Sequence, residues 1–433
     1  MTAAPEPDRG YLELSRGFLE VLGADGIGDE YDLAASAVDG IEPRWLLMPA
    51  TVEECSRVLA IATEHRLAVV PAGFGARLGQ GAPPERLDVV LSVRRLDRVV
   101  EHAAADLTLT VEAGASLAVL GERLRLEGQW LPFDPPFASA TSIGGLIATQ
   151  AAGPVRQAFG TVRESVIGLR AVLADGTVVK SGGRVVKNVA GYDLHRLLCG
   201  SFGTLAVVVE ASFKLRPLPE KRAEFAFAAP AAAPLVDVAQ AIAASSIVPS
   251  FLELVARDGD LVLVVGLAGL REEIDEARGR LAAITALPEV ALRTGEVERS
   301  LEETARPIDR GRSAIVMRLG LPPARLAPRI DRLLERARRI AARARIHAHA
   351  GVGVARLRLE DVAEPDASQL LQEARTDAEG AGGYLVVESA PAEWKSRIDP
   401  WGSPPPTLDL MKRVKSAFDP ARVLSPGRYV GGI

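Results

Sequence analysis

Cysteine, histidine and aromatic residues are scarce in this chain. Its 433 residues include two cysteines, five histidines and 5% Phe, Trp and Tyr combined. Cys55 and Cys199 cannot frame a disulfide scaffold, and two thiols fall short of the four that an iron–sulfur cluster takes. No block of lysine or arginine dominates a segment and the net charge is −5, which argues against nucleic acid as the main partner. The longest apolar run, LVLVVGLAGL at 261–270, is about half of what a bilayer requires. The opening MTAAPEPDRG carries acids and prolines where a secretory leader has a basic start and an apolar run. The expected location is therefore a reducing cytoplasm, with any membrane association made through a partner.

What is present is the composition of an ordinary globular protein, 48% hydrophobic and 25% charged, at a length that calls for two or three domains. From about 46 to 219, short apolar runs alternate with glycine-rich turns and a few helices. LLMPATVEECSRVLAIATEHRLAVVPAG reads as strand, helix, strand, with Thr51 as N-cap and Val52, Cys55, Leu59 and Ala62 on one helical face. Further strands are predicted at 88–92, 107–114, 169–179 and 205–217, with a hairpin at Asp175-Gly176. The alanine- and proline-rich stretch at 220–245 reads as a boundary.

Beyond it the order is strand hairpin (around Asp258-Gly259), helix, strand, helix, hairpin, helix, strand, which suits an antiparallel sheet backed by helices. The arginine-rich segment 327–344 reads as one amphipathic helix whose buried stripe includes Leu326, Ile330, Leu333, Leu334 and Ala337. The expected fold is α+β, with an N-terminal extension at 1–43, a first domain at 44–219, a second at 220–400 and a C-terminal segment at 401–433.

Three clusters of glycine and hydroxyl residues carry the chemistry. AVVPAGFGARLGQG at 68–81 runs a strand into Gly73-Phe74-Gly75, where consecutive amides can converge on a phosphate oxygen. Its spacing is not that of a Rossmann turn, no Walker lysine follows, and Gly81-Ala82-Pro83-Pro84 stops any helix before it begins. Thr141, Ser142, Gly144 and Gly145 open an apolar helix, as an anion site or simply as a capped helix start. Gly203-Thr204 precedes a buried strand.

The order of these clusters resembles the two-lobed FAD-binding domain of the vanillyl-alcohol-oxidase/p-cresol-methylhydroxylase (PCMH-type) superfamily. KNVAGYDL at 187–194, GSFGTL at 200–205 and FDPARVLSPGR at 418–428 are similar more narrowly to the flavin subunits of bacterial glycolate oxidase, the smaller E type above all, and to D-2-hydroxyacid dehydrogenases. The resemblance implies FAD, with Ala72, Gly73, Phe74, Gly75, Ala76 and Arg77 along its pyrophosphate. Thr141, Ser142 and Gly145 would hold the second side, with Gly203, Val207 and Val208 near the ring systems. Ala76 stands where relatives have a phosphate-binding hydroxyl or a flavin-linking histidine, which implies a non-covalent cofactor. Ser425 stands where asparagine is more usual.

Hydroxyacid oxidation in this group proceeds by hydride transfer to flavin while a protein base takes the hydroxyl proton. The catalytic relatives carry His-x-Gly-Asp-Gly-Asn-x-His; this chain has His349-Ala350-Gly351-Val352-Gly353-Val354-Ala355-Arg356, and valine neither coordinates a cation nor accepts a proton, so no metal is expected. His347 and His349 share one strand face, as a general base or as strand histidines without catalytic duty. Lys187 and Tyr192 are further candidates, Lys187 as a carboxylate-positioning cation or a surface lysine. Trp394 and Trp401 are expected to pack the tail on the first domain, and Cys199 to fill the core.

Three functions follow from the resemblance. The first is an FAD subunit of a glycolate-oxidase-type complex, beside a paralogous flavin subunit and an iron–sulfur subunit. The others are a stand-alone D-2-hydroxyacid dehydrogenase and a non-catalytic assembly subunit.

Overall fold

The computed structural model describes residues 9–183, 192–257, 260–309 and 311–433. Lys187 and the turn residues Asp258 and Gly259 lie outside the described residues.

The first lobe holds two main sheets, beside a two-stranded antiparallel pair of Gln129–Trp130 with Arg216–Pro217. In the smaller main sheet, Trp45–Leu47 and Val69–Ala72 flank Val89–Ser92, all parallel. Parallel neighbours require a crossover, and the helix Val52–Glu64 supplies one. Thr51 caps it by accepting from the Glu54 amide at 3.1 Å, and Val52, Cys55, Leu59 and Ala62 are buried, as the spacing predicts. Thr51→Ala is expected to cost about 1 kcal/mol in thermal or urea unfolding, the usual worth of such a cap.

The larger sheet is antiparallel, ordered Val99–Ala103, Thr108–Glu112, Val207–Lys214, Val166–Val172, Val178–Gly182. The hairpin at Asp175-Gly176 joins its last two strands, with Gly176 at φ +87°.

The second lobe is a seven-stranded antiparallel sheet. Its order is Lys221–Ala229, Asp260–Gly269, Phe251–Arg257, Ala341–His349, Val354–Val362, Ala314–Gly320, Tyr384–Ser389. Two expectations are corrected here. The stretch at 220–245 is not a mere boundary but the strand Lys221–Ala229 followed by the helix Ala232–Ala243. The arginine-rich helix ends at Ile340, and residues 341–344 start the next strand, because that edge is claimed by Val354–Val362. Its apolar stripe is buried as expected.

Each lobe has its own apolar core. The tail returns to the first: Val423 and Leu424 join that core, and Leu424 bridges Val69 in parallel, adding a short rung to the small sheet. Lys415, on the helix Leu408–Phe418, locks this return. Its buried ammonium donates to the Thr204 and Leu424 carbonyls (2.7 Å each) and to Asp419 at 2.6 Å. Asp419 accepts in turn from the amides of Val423 and Leu424.

Trp401 does pack the tail on the first lobe, edge-on to Phe202 with ring centroids 5.1 Å apart. Trp394 does not; it lies in the core of the second lobe. Among the described residues no helix is long and apolar enough to cross a membrane.

Candidate functional site

The glycine loop leaves the strand Val69–Ala72 at the edge of a narrow cleft lined by residues 71–78. Gly73 is there because nothing larger fits. A Cβ on it would lie 1.8 Å from the Ser142 hydroxyl and 2.8 Å from the Ser142 Cβ. Gly75 takes φ +84°, a conformation that side chains resist. Among the described residues the amides of Phe74, Gly75, Ala76 and Arg77 donate to no protein acceptor. Consecutive free amides around a concavity form an anion cradle.

Thr141, Ser142 and Gly145 face the loop across this cleft, and Gly203, Val207 and Val208 close it. The sequence-predicted cradle is thus brought together at one place, although its parts are more than a hundred residues apart. Of the two readings of the second cluster, the capped helix start is the one found. Ile143 and Gly144 donate to the Ala115 and Ala113 carbonyls, and the Gly145 amide is capped by Ser142 at 3.1 Å. This side therefore presents hydroxyls and surface rather than amides. Val207 and Val208 pair with Val172 and Ala171 on one edge only, since the neighbouring strand pairs from Glu210 onward.

The tail completes the loop. Arg428 donates to the carbonyls of Leu78 and Gln80, the latter at 2.6 Å, and burial lowers its pKa to about 10. Lys395 donates to Asp39 at 2.6 Å and to the Gly79 carbonyl. Ser425 sits at φ 45°, a region that asparagine tolerates better, and its buried hydroxyl has no hydrogen-bond partner among the described residues.

Next to the cleft, and sharing Ala76, Arg77, Thr149 and Phe202 with it, lies a larger cavity of about 500 Å³ between the lobes. Arg318 and Arg356 enter it from paired positions on neighbouring strands of the second lobe. Alternation explains this: Met317, Leu319, Ala355 and Leu357 face the apolar core, so the arginines face the first lobe. Directly opposed like charges destabilise a sheet unless an acid intervenes. Glu388 is that acid, and a bulge aims it. Met317 pairs with Val387 and Val316 with Ser389, leaving Glu388 as the extra residue. Its carboxylate accepts from Arg356 at 2.9 Å and lies 2.8 Å from Arg318. Burial pushes Glu388 up, but the two guanidinium groups win and hold it below the usual carboxylate range.

His347 and His349 are buried and line neither the cleft nor this cavity. His349 lies opposite Glu253 in register; its Nδ1 is 2.7 Å from the Glu253 carboxyl, and its Nε2 accepts from Arg356 at 3.1 Å. His347 Nε2 is 2.8 Å from the same carboxyl and its Nδ1 is 3.0 Å from the Ser300 hydroxyl. Burial pushes Glu253 well above the carboxylate range, helped by Asp134, and pushes His347 down to about 3.

The three ligand-type atoms lie within 4.8 Å of one another, a spacing a metal ion could use. Arg356 decides the chemistry. An arginine can only donate, so His349 Nε2 is the acceptor and its proton sits on Nδ1, where no lone pair remains for a cation. The group is only partly hydrogen-bonded: His349 Nε2 orients Arg356, while His349 Nδ1 and Glu253 Oε1 have no hydrogen-bond partner among the described residues. Tyr192 is almost fully exposed and apart from both cavities, while Cys199 is buried at the rim of the larger one, with burial raising its thiol to about 11.

Asp134, in the first lobe, accepts from the Val155 amide, one residue before Arg156, and burial raises its pKa to about 7. An acid protonated in the fold but ionised when unfolded stabilises most at low pH. Its contribution should be full below about pH 4 and lost as pH rises through 7. Asp134→Asn keeps the acceptor, so unfolding midpoints of this variant should lose that part of the pH 4–7 slope.

A glycine cradle of free amides, completed by a returning tail and continuous with a cavity at the second lobe, fits a two-lobed flavin-binding protein. The donors suit FAD: amides without partners for a pyrophosphate and an open strand edge beside them. The chain belongs to the FAD-linked oxidases. The FAD binding domain family model matches residues 43–182, and that of the FAD linked oxidase C-terminal domain matches 401–429. The glycolate oxidase subunit GlcD of Bacillus subtilis is 31% identical over 420 residues, 89% of this chain and 88% of the relative. A D-lactate dehydrogenase of Archaeoglobus fulgidus is 28% identical over 89% of this chain and 91% of its own length. In fold, p-cresol methylhydroxylase with substrate bound covers 98% of this chain and 97% of its own at TM-score 0.73 and 17% identity. Alkyldihydroxyacetonephosphate synthase covers 98% of this chain and 86% of its own at TM-score 0.76 and 18% identity.

The protein is an FAD-dependent oxidoreductase. Sequence reasoning missed Arg156, Arg318 and Glu388 as site residues. The strand alternation around Arg318 and Arg356 was the available signal.

Proposed function

We propose that this chain is the FAD-holding subunit of a glycolate-oxidase-type complex that oxidises glycolate or a related D-2-hydroxyacid to the 2-oxoacid. The observation that carries the reading is the continuity of the cradle with an arginine-lined cavity through Ala76, Arg77, Thr149 and Phe202. A substrate carboxylate held there by Arg318 and Arg356 rests beside the cofactor cradle, and guanidinium forks suit carboxylates. Bound flavin supplies the hydride acceptor.

The chain's own part is to hold the acid, exclude water between the lobes and fix Arg356 through neutral His349, a positioning residue. The relative's printed name, a glycolate oxidase subunit, and the want of thiols for a cluster support partner chains that pass electrons on. Ala76 supports a non-covalent cofactor, which acid precipitation should release into the supernatant.

Anaerobic addition of glycolate or D-lactate to the yellow protein tests the reading. Bleaching only with flavin and iron–sulfur partner chains present supports a subunit, and bleaching by the acid alone indicates a stand-alone dehydrogenase. A colourless protein that cannot be reconstituted with FAD refutes the reading. His349→Ala should raise KM for the acid more than it lowers kcat, and His349→Gln, which restores an acceptor for Arg356, should recover part of the loss.

A further inference from the structure

The charge of the cavity is more than one carboxylate needs. Arg318 and Arg356 share the single carboxylate of Glu388, which leaves one guanidinium charge uncompensated on the wall of the second lobe. Arg156, on the short helix Arg156–Phe159 of the first lobe, lines the same cavity. Among the described residues its guanidinium makes no hydrogen bond or ion pair, and it is only partly exposed. Burial lowers its pKa; the fields of Tyr384 and Glu164 oppose that shift, and those of Arg318 and Arg356 add to it. A partly buried cation with no ion-pair partner is costly, and the cost is removed by an anionic ligand.

We propose that this cavity selects a dicarboxylic 2-hydroxyacid, with one carboxylate on Arg318 and Arg356 and the second on Arg156. The inference rests on the hydroxyacid reading above and sharpens it. Such a substrate spans both lobes, so its second carboxylate reports closure of the cavity as well as charge.

The test uses the FAD-loaded protein and binding rather than turnover. Perturbation of the flavin spectrum, with calorimetry as a second readout, is followed on titration with 2-oxoglutarate and oxaloacetate against pyruvate and glyoxylate. The dicarboxylates should bind at least tenfold tighter. Arg156→Gln should cut that ratio at least tenfold and Arg156→Lys less, because lysine keeps the charge and loses the fork. Equal affinity for the two classes, or a ratio unmoved by Arg156→Gln in a variant with unchanged melting, overturns the dicarboxylate inference and leaves the hydroxyacid reading standing. Binding of neither class overturns both.

Discussion

Lys415→Met is expected to destabilise the first lobe by about 3–5 kcal/mol, the cost of leaving one member of a buried ion pair without the other. The ammonium is 5% exposed and its partner Asp419 is fully buried. Methionine fills the space of the lysine stem but leaves the Asp419 carboxylate uncompensated and the Thr204 and Leu424 carbonyls without their donor. At about 2–4 °C per kcal/mol for a domain of this size, the melting temperature should fall by roughly 6–20 °C. Flavin content should fall with it, because Thr204 adjoins Gly203 on the cradle wall. The double variant Lys415→Met, Asp419→Asn should be less damaged than the sum of its singles, since the orphaned charge is gone. A melting temperature within about 1 °C of the parent would show that the tail is held by its apolar contacts alone.

Gly73→Ala should weaken FAD binding with little loss of the second lobe. The new methyl group overlaps the Ser142 hydroxyl and crowds its Cβ, so rotating the hydroxyl away is not enough. Either the glycine loop or the start of the helix Ile143–Thr149 must move, and both are cradle walls. Overpacking of this kind costs about 1–3 kcal/mol. At tenfold per 1.4 kcal/mol that is about 5- to 150-fold in Kd, read by titrating apo-protein with FAD. Gly73→Ala combined with Ser142→Gly removes the overlap and should regain part of the affinity despite losing the cap. Wild-type affinity in Gly73→Ala would mean that the loop and the helix start do not act together on the cofactor.

Both variants bear on how the site is legible. The glycine loop can be recognised in the sequence because its chemistry is local: adjacent residues supply the free amides, and the glycines are spaced to allow it. The helix at 52–64 and the hairpin at 175–176 are legible for the same reason, since cap, stripe and turn lie within a few residues of one another. The helix start at 142 shows the limit. Its sequence suits an anion site, yet two of its amides are consumed by the Ala113 and Ala115 carbonyls, which come from a loop some thirty residues earlier. The strand at 221–229 shows another limit, for its alanines look like linker until the Asp260–Gly269 strand pairs with it.

The charged cavity was hidden by distance. Arg156, Arg318, Arg356 and Glu388 span more than two hundred residues, and an arginine on an alternating strand looks like a solvated face until something covers that face. The bulge that aims Glu388 depends on a register between two strands, which no local pattern states. The sequence leaves His349 either a base or a strand histidine without catalytic duty, because nothing local states that Arg356 donates to its Nε2.

By itself the sequence determined that a glycine loop can turn its amides to a phosphate (FAD being what the family resemblance implies), that two cysteines cannot hold an iron–sulfur cluster, and that the second half is an antiparallel sheet with helices. These depend on glycine spacing, residue counts and hydrophobic period, all of which act over short range. Only the tertiary structure decided which amides remain free, that Lys415 and Arg428 fasten the tail to the cradle, and that Arg156, Arg318 and Arg356 line one cavity with Glu388 beside it. Those outcomes depend on burial and on groups brought together by the closure of two lobes, and desolvation and charge take their value only after that closure.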